Sequence, residues 1–235
     1  MRFLIQLSFV AIIIGGSGCA NPEGDLKNTS VSTDTISNSA TDTSSMLKYL
    51  RENTPDSTFK PSPVFGYPLI ESKVEDVARY LLERLKEKNW PAVSALTSSD
   101  HPLRISPKVH LDSNTFTVDG KLLSKLEISG EEIVWYINTA SGEPMIMNFT
   151  DYFNRYIWDK DYSKAHFHVD EYISRSSLIN NLASEFPNCK TVEAFIKTDI
   201  KSNPSAIQWR SLNMVFKYMD NKYYLVGLVH DQHEI

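Results

Sequence analysis

Between Ser72 and Asn89 the stretch "SKVEDVARYLLERLKEKN" places Val74, Val77, Ala78, Leu81, Leu82 and Leu85 at i, i+3, i+4, i+7 spacing. That period predicts one amphipathic helix with a continuous buried stripe, and Ser72 with Glu75 has the spacing of a capping box at its start. Proline suits a first helical turn, so a short second helix is expected from Pro91, carrying Val93 and Leu96. "KLLSKLE" and "TDYFNRYIWDK" read as two further short helices. The period then changes to two, and "EIVWYIN", "PMIMNF", "TVEAFIKT", "SLNMVFKY" and "KYYLVGLVH" read as strands, the last two joined across Asp220-Asn221 as a hairpin. In "SLNMVFKY" the residues Leu212, Met214, Phe216 and Tyr218 share one face, with Ser211, Asn213 and Lys217 on the other, so one face of that sheet is expected to be wet. "YYLVGLV" is apolar on both faces, as a strand in the middle of a sheet would be. Helices first and strands after them imply an α+β fold, with helices packed on one face of a curved, mostly antiparallel sheet.

A second kind of apolar block stands at the N-terminus, where Arg2 precedes the run Phe3 to Ile14 and the small residues Gly16-Ser17-Gly18 lead to Cys19. Crossing a bilayer takes about 20 apolar residues, and this run is about a dozen, so residues 1–18 read as a cleaved export signal. The segment resembles the lipobox of bacterial lipoproteins, although Gly16 stands where that pattern usually has Leu. The resemblance implies that Cys19 receives a diacylglyceryl thioether and becomes the new N-terminus. Several acyl chains on one cysteine make a stable anchor, which implies a cell-envelope location on the extracytoplasmic face, at the outer membrane or cell surface. Cys189 is then the one thiol left in the mature chain.

Residues 19–68 are dominated by Ser, Thr, Asn and Asp up to about residue 45 and by Pro55, Pro61, Pro63 and Pro68 later. Such a stretch cannot bury enough apolar surface to offset its ordering entropy and is expected to be a disordered tether, with one helical turn at "MLKYLRE". As a flexible coil it would reach roughly 40 Å. Residues 69–235 remain for a single α+β domain. The net charge of −5 becomes −6 once Arg2 is removed with the signal, and no basic cluster offsets it, which argues against nucleic acid or an anionic membrane as the main partner. The expected partners are the membrane, through the lipid anchor, and a small molecule or an envelope protein.

The order of elements resembles the NTF2-like cone, in which N-terminal helices close one side of a strongly bent sheet and leave a pocket inside. Four stretches also resemble a family of uncharacterised bacterial secreted proteins and lipoproteins. They are "RISPKVHLD" at 104–112, "SGEPMIMNFTDYFNRYIWDKDY" at 141–162, "WRSLNMVF" at 209–216 and "YYLVGLVHDQHEI" at 223–235. That family tends to end in "HDxWTI", where this chain has His233. The resemblance implies no activity.

Three constellations could carry chemistry. In "HFHVDE", His166, His168 and Asp170 fall at i, i+2, i+4, a spacing that resembles the His-x-His-x-Asp of metallo-β-lactamase-type hydrolases. Here it follows the charged segment "WDKDYSKA", so it reads as the solvated face of an edge strand with Phe167 and Val169 turned inward, and no metal or other cofactor is expected. In "HDQH", if the last strand continues through it, His230 and His233 lie about 10 Å apart and point to opposite faces, so they cannot share an ion, whereas a turn after Asp231 could bring them together. The third set is diffuse: Trp135, Tyr136, Tyr152, Arg155, Trp209 and Arg210, with His230 and Asp231 near the sheet end, could line a concave site with aromatic walls and guanidinium groups for a carboxylate or sulfated ligand. A packed aromatic core explains the same aromatics. The function this supports is a binding module held at the envelope; the alternative is a small hydrolase or lyase using pocket His and Asp residues. Convergence of His110, Asp151, His230 and Asp231 on one site would favour the enzyme.

Overall fold

The computed structural model describes residues 47–48, 51–52, 72–173, 176–197 and 208–233, all within one compact unit, Ser39–Ile235. The signal, Cys19 and the rest of 19–68 lie outside the described residues. Leu47, Lys48, Arg51 and Glu52 are helical, in the turn expected at 46–52, and Leu47 packs against the core, so the chain already touches the domain within the stretch expected as a tether.

Helix α1, Val74–Lys86, buries the stripe read from its period: Val74, Val77, Ala78, Leu81, Leu82 and Leu85. Its start differs from expectation. Lys73 is the N-cap and no side chain caps the helix, so Ser72 lies one position too early for the reciprocal bonds of a capping box. Glu75 and Asp76 in the first turn and Arg84 and Lys86 in the last complement the helix dipole instead. Helix α2, Trp90–Ala95, begins one residue before Pro91, with the Asn89 side chain accepting from Ala92 N at 3.2 Å. Among the described residues no helix is long and apolar enough to cross a membrane.

The strands are β1 (Leu103–Ser106), β2 (Phe116–Val118), β3 (Glu132–Ile137), β4 (Pro144–Asn148), β5 (His166–Val169), β6 (Cys189–Lys197), β7 (Trp209–Met219) and β8 (Lys222–Gln232). Helix α3, Leu123–Ser129, precedes β3, helix α4, Phe149–Tyr152, follows β4, and α5, Leu182–Glu185, lies between β5 and β6. The main sheet runs β2-β1-β8-β7-β6-β5, while β3 and β4 form a separate hairpin. All these pairings are antiparallel except β1 with β8. Strands β1 and β2 carry too few residues to show a period of two, and neither was expected. Asp220 and Asn221 both have positive φ, 49° and 61°, the backbone that a two-residue hairpin turn requires.

The β7–β8 register shifts between Val215, opposite Gly227, and Phe216, opposite Leu225, so Val226 has no partner and forms a bulge. Beyond it the facing of β8 is offset by one residue. Leu212, Met214 and Phe216 of β7, with Leu225 and Leu228 of β8, lie in the core beneath α1 and α2. Val215, Val226 and Val229 face the other side, under Leu182 and Phe186 from α5 and its C-cap and Val109 and Leu111 from the β1–β2 connection.

This second layer overturns the expectation of a wet face, since Ser211 and Asn213 are fully buried together with Glu193 on β6. Alternation reports which residues share a face, and here segments far along the chain cover the polar one. Gly227 sits where this cover comes closest, because a Cβ there would meet Phe186 Cζ at 2.9 Å and Val215 Cβ at 3.0 Å. Gly227→Ala is expected to cost about 1–3 kcal/mol through overpacking, read from the midpoint of chemical unfolding; an unchanged midpoint would contradict the close approach.

Candidate functional site

Among the described residues, the stretch "NFTDYFNRYIWDKDY" builds the place where aromatic walls meet buried charge. Asn148 N-caps α4, its side chain accepting from Asp151 N at 2.8 Å. The helix then widens into a π turn, Phe153–Ile157, closed by Trp158 N donating to Phe153 O at 2.7 Å. A π turn inserts one residue into a helix and redirects the chain beyond it, and such turns recur at functional sites. Here Tyr152 and Tyr156 lie against each other with ring centroids 5.1 Å apart, and the chain past Trp158 turns back so that Asp159 reaches the sheet.

Asp159 is the hub. Tyr162, at i+3, donates its hydroxyl to Oδ1 at 2.8 Å. Arg210 on β7 meets Oδ2 through Nε as a close ion pair, its N–H not aligned as a hydrogen bond. His230 on β8 places Nε2 3.4 Å from the same oxygen. Burial pushes the Asp159 pKa up, but the hydrogen bond and charge of His230, the Tyr162 hydroxyl and the Arg210 charge outweigh it, and the carboxyl is held below its usual range.

Around this hub the phenols stay protonated. Burial raises Tyr152 well above the ordinary value, with Tyr156 adding to it. Burial raises Tyr162 and the Asp159 charge reinforces it. Burial also raises Tyr156, against the nearby Arg155 charge. All three therefore present neutral O–H groups. Trp135 stacks on Tyr152 with centroids 3.8 Å apart and planes 17° from parallel, anchored by its Nε1 donating to Met147 O at 2.8 Å. Tyr156 meets the His230 ring edge-on at 5.7 Å.

Trp135, Tyr152, Arg210 and His230 are thus brought together, on the helix-covered face of the sheet. The remaining sequence candidates are elsewhere. Arg155 is exposed, its guanidinium 5.4 Å from the Tyr156 ring. Trp209 lies on the opposite face beside Phe195, 6.1 Å away. Asp231 is buried opposite Ser211, also on that other face. The expected pair of guanidinium groups for an anionic ligand does not form, because Arg210 is already matched by Asp159 and Arg155 stays at the surface.

The other polar sets are similarly dispersed. His110 is exposed and contacts Ile179 O at 3.2 Å, and Asp151 is exposed at the α4 cap, so the four residues whose convergence would favour an enzyme do not share a site. On the edge strand β5, Phe167 and Val169 pack inward, and His168 meets Phe195 edge-on at 6.5 Å. Asp170 has φ of 54° and turns away to pair with Lys190 and accept from Thr191 N. Among the described residues no group of three or more His, Cys, Asp or Glu side chains could hold a metal ion. Burial raises the Cys189 thiol, with Lys217 opposing, which keeps it in the unreactive protonated form.

Sequence reasoning passed over Asp159, Tyr156 and Tyr162. Asp159 stands in the run "WDKDY", whose charges read as surface, and the available signal was an Asp following an apolar helical face with a Tyr three residues on. No protein-family model, no curated protein and no solved structure matches this chain.

Proposed function

We propose that this chain is a lipid-anchored protein of the cell envelope whose domain binds a small molecule between its helices and the sheet face they cover. The observation that carries the binding reading is a pair of buried polar atoms without a partner, Tyr152 Oη and His230 Nδ1, beside the Asp159 hub. An unmatched buried donor or acceptor costs about 1–3 kcal/mol. Two of them near a stacked aromatic wall support a site completed by hydrogen-bonding groups from outside. An NTF2-like cone is the form of the fold this reading favours, supported by helices over one face of the sheet and by the Val226 bulge, which bends β8.

A hydrolase or lyase is the second reading, favoured by the Asp159–His230 contact, since a carboxylate holding one imidazole nitrogen leaves the other free to act as a base. Saturation transfer NMR on the full mature chain with a fragment library separates these readings from a purely structural role. Fragments that bind and are displaced in His230→Gln support the site, and a library without a binder overturns it.

The anchor rests on the N-terminal run, too short to span, that ends at Cys19. Cys19→Ser is expected to move the protein from the detergent-extracted membrane fraction to the soluble fraction. Unchanged membrane partitioning would refute lipidation.

A further inference from the structure

The π turn that follows α4 has no local cause. Phe149 to Trp158 contains neither glycine nor proline, and Asn154 and Arg155 on the outer side of the turn are exposed. Its closing bond joins Trp158 N to Phe153 O across five steps, where an α-helix closes such a bond across four. In the chain as it stands, the wider register brings Asp159 to the sheet. With one residue fewer between Phe153 and Trp158, the same two groups would close an ordinary α bond, and Asp159 would arrive in the same place. Asn154 is the residue that can be spared, since among the described residues its side chain makes no hydrogen bond, ion pair or ring contact.

What the extra residue changes is the angle of the side chains inside the turn. The rotation that four α steps of about 100° make is shared here among five of about 80°. With one residue removed, Ile157 would move by about 20° and keep its buried side, whereas Tyr156 would swing by about 40° toward the side that exposed Arg155 now occupies. Tyr156 is half-buried, and its ring lies 5.1 Å from that of Tyr152 and 5.7 Å from that of His230, edge-on to the imidazole. We propose, on the basis of the ligand-binding reading above, that the extra residue of the π turn serves the site and not the fold: it turns Tyr156 onto His230, making Tyr156 a positioning residue that sets the imidazole for a bound small molecule.

The test deletes Asn154 from the full mature chain. The urea midpoint is expected to stay near that of the wild type, and Asp159→Asn is expected to lower it equally with and without the deletion. The His230 ring protons, assigned by their loss in His230→Gln, are expected to shift both in the deletion variant and in Tyr156→Leu, because each takes the Tyr156 ring current away. A deletion variant that does not fold, or in which Asp159→Asn changes nothing, would overturn the proposal, since the extra residue would then be needed for the Asp159 hub. Unmoved His230 protons in either variant would overturn it as well. A fragment that binds the wild type at His230 is expected to weaken about tenfold in both variants, the loss of one aromatic contact. Unchanged affinity would overturn the positioning role and leave ligand binding standing. A library without a binder would overturn the ligand-binding reading and the role in the site with it, while the midpoints and proton shifts would still show whether the extra residue places Tyr156.

Discussion

Asp159→Ala is expected to destabilise the domain by about 3 kcal/mol, measured by urea unfolding with fluorescence and circular dichroism followed together. Removing this carboxylate strands the Arg210 guanidinium and leaves His230 Nε2 and the Tyr162 hydroxyl without an acceptor. Losing one partner of a buried pair costs about 3–5 kcal/mol. The Arg210 side chain retains 18 % of its exposure and Asp159 10 %, and solvent screening at that rim places the effect at the lower end. Asp159→Asn keeps the Tyr162 bond and loses the charge, so it should fall between wild type and alanine.

The sign of the pH dependence is set by the same carboxyl. Its folded pKa lies below the ordinary value of about 3.9. The stabilisation is therefore present above that ordinary value and is lost as the pH falls through the folded one. The gap between wild type and Asp159→Asn should persist above about pH 4 and close below it. A gap that widens with acid would show that Asp159 is not a favourably held anion.

Trp135→Ala should cost about 3–5 kcal/mol, the range for deleting a large buried aromatic. Trp135 stacks on Tyr152 at 3.8 Å and lies 4.5 Å from the Phe116 ring and 6.0 Å from that of Phe149. Its indole N–H also satisfies Met147 O across the β3–β4 hairpin. Trp135→Phe keeps much of the volume and loses the hydrogen bond, so its cost should be the smaller of the two. If both substitutions cost the same, the volume would not matter and the packing described for this residue would be wrong. The alanine variant should also abolish fragment binding, because Tyr152 is held in place by the ring it stacks on.

Much of the fold was legible because its signals are local. The α1 stripe is a matter of six apolar residues at helical spacing, and the hairpin turn needs only two residues that tolerate positive φ. Edge strand β5 was recognisable because His166 and His168 alternate with Phe167 and Val169. The missed strands β1 and β2 are short, and β1 is a strand because β8 pairs with it in parallel from more than a hundred residues away. The helix start was misjudged because capping boxes depend on backbone angles at one residue, and Lys73 rather than Ser72 became the N-cap.

The candidate site was only half visible for a similar reason. Aromatic and basic residues near the ends of elements can be named from sequence, and Trp135, Tyr152, Arg210 and His230 were among them. Which of them meet depends on Asp159, whose burial no local pattern records, and on the π turn that delivers it.

By itself, the sequence determined the types of the longer elements, the stripe that α1 buries, the hairpin turn and a net charge of −5. Only the tertiary structure decided which of two adjacent residues, His230 or Asp231, belongs to the site. Both faces of "YYLVGLV" are apolar, so its pattern carries no information on facing. The extra residue Val226 in the β7–β8 ladder shifts the alternation by one and turns His230 toward Asp159 and Asp231 away from it. A strand has period two, so a single inserted residue exchanges its faces, and where that insertion falls is set by pairing between strands rather than by the residues of either one.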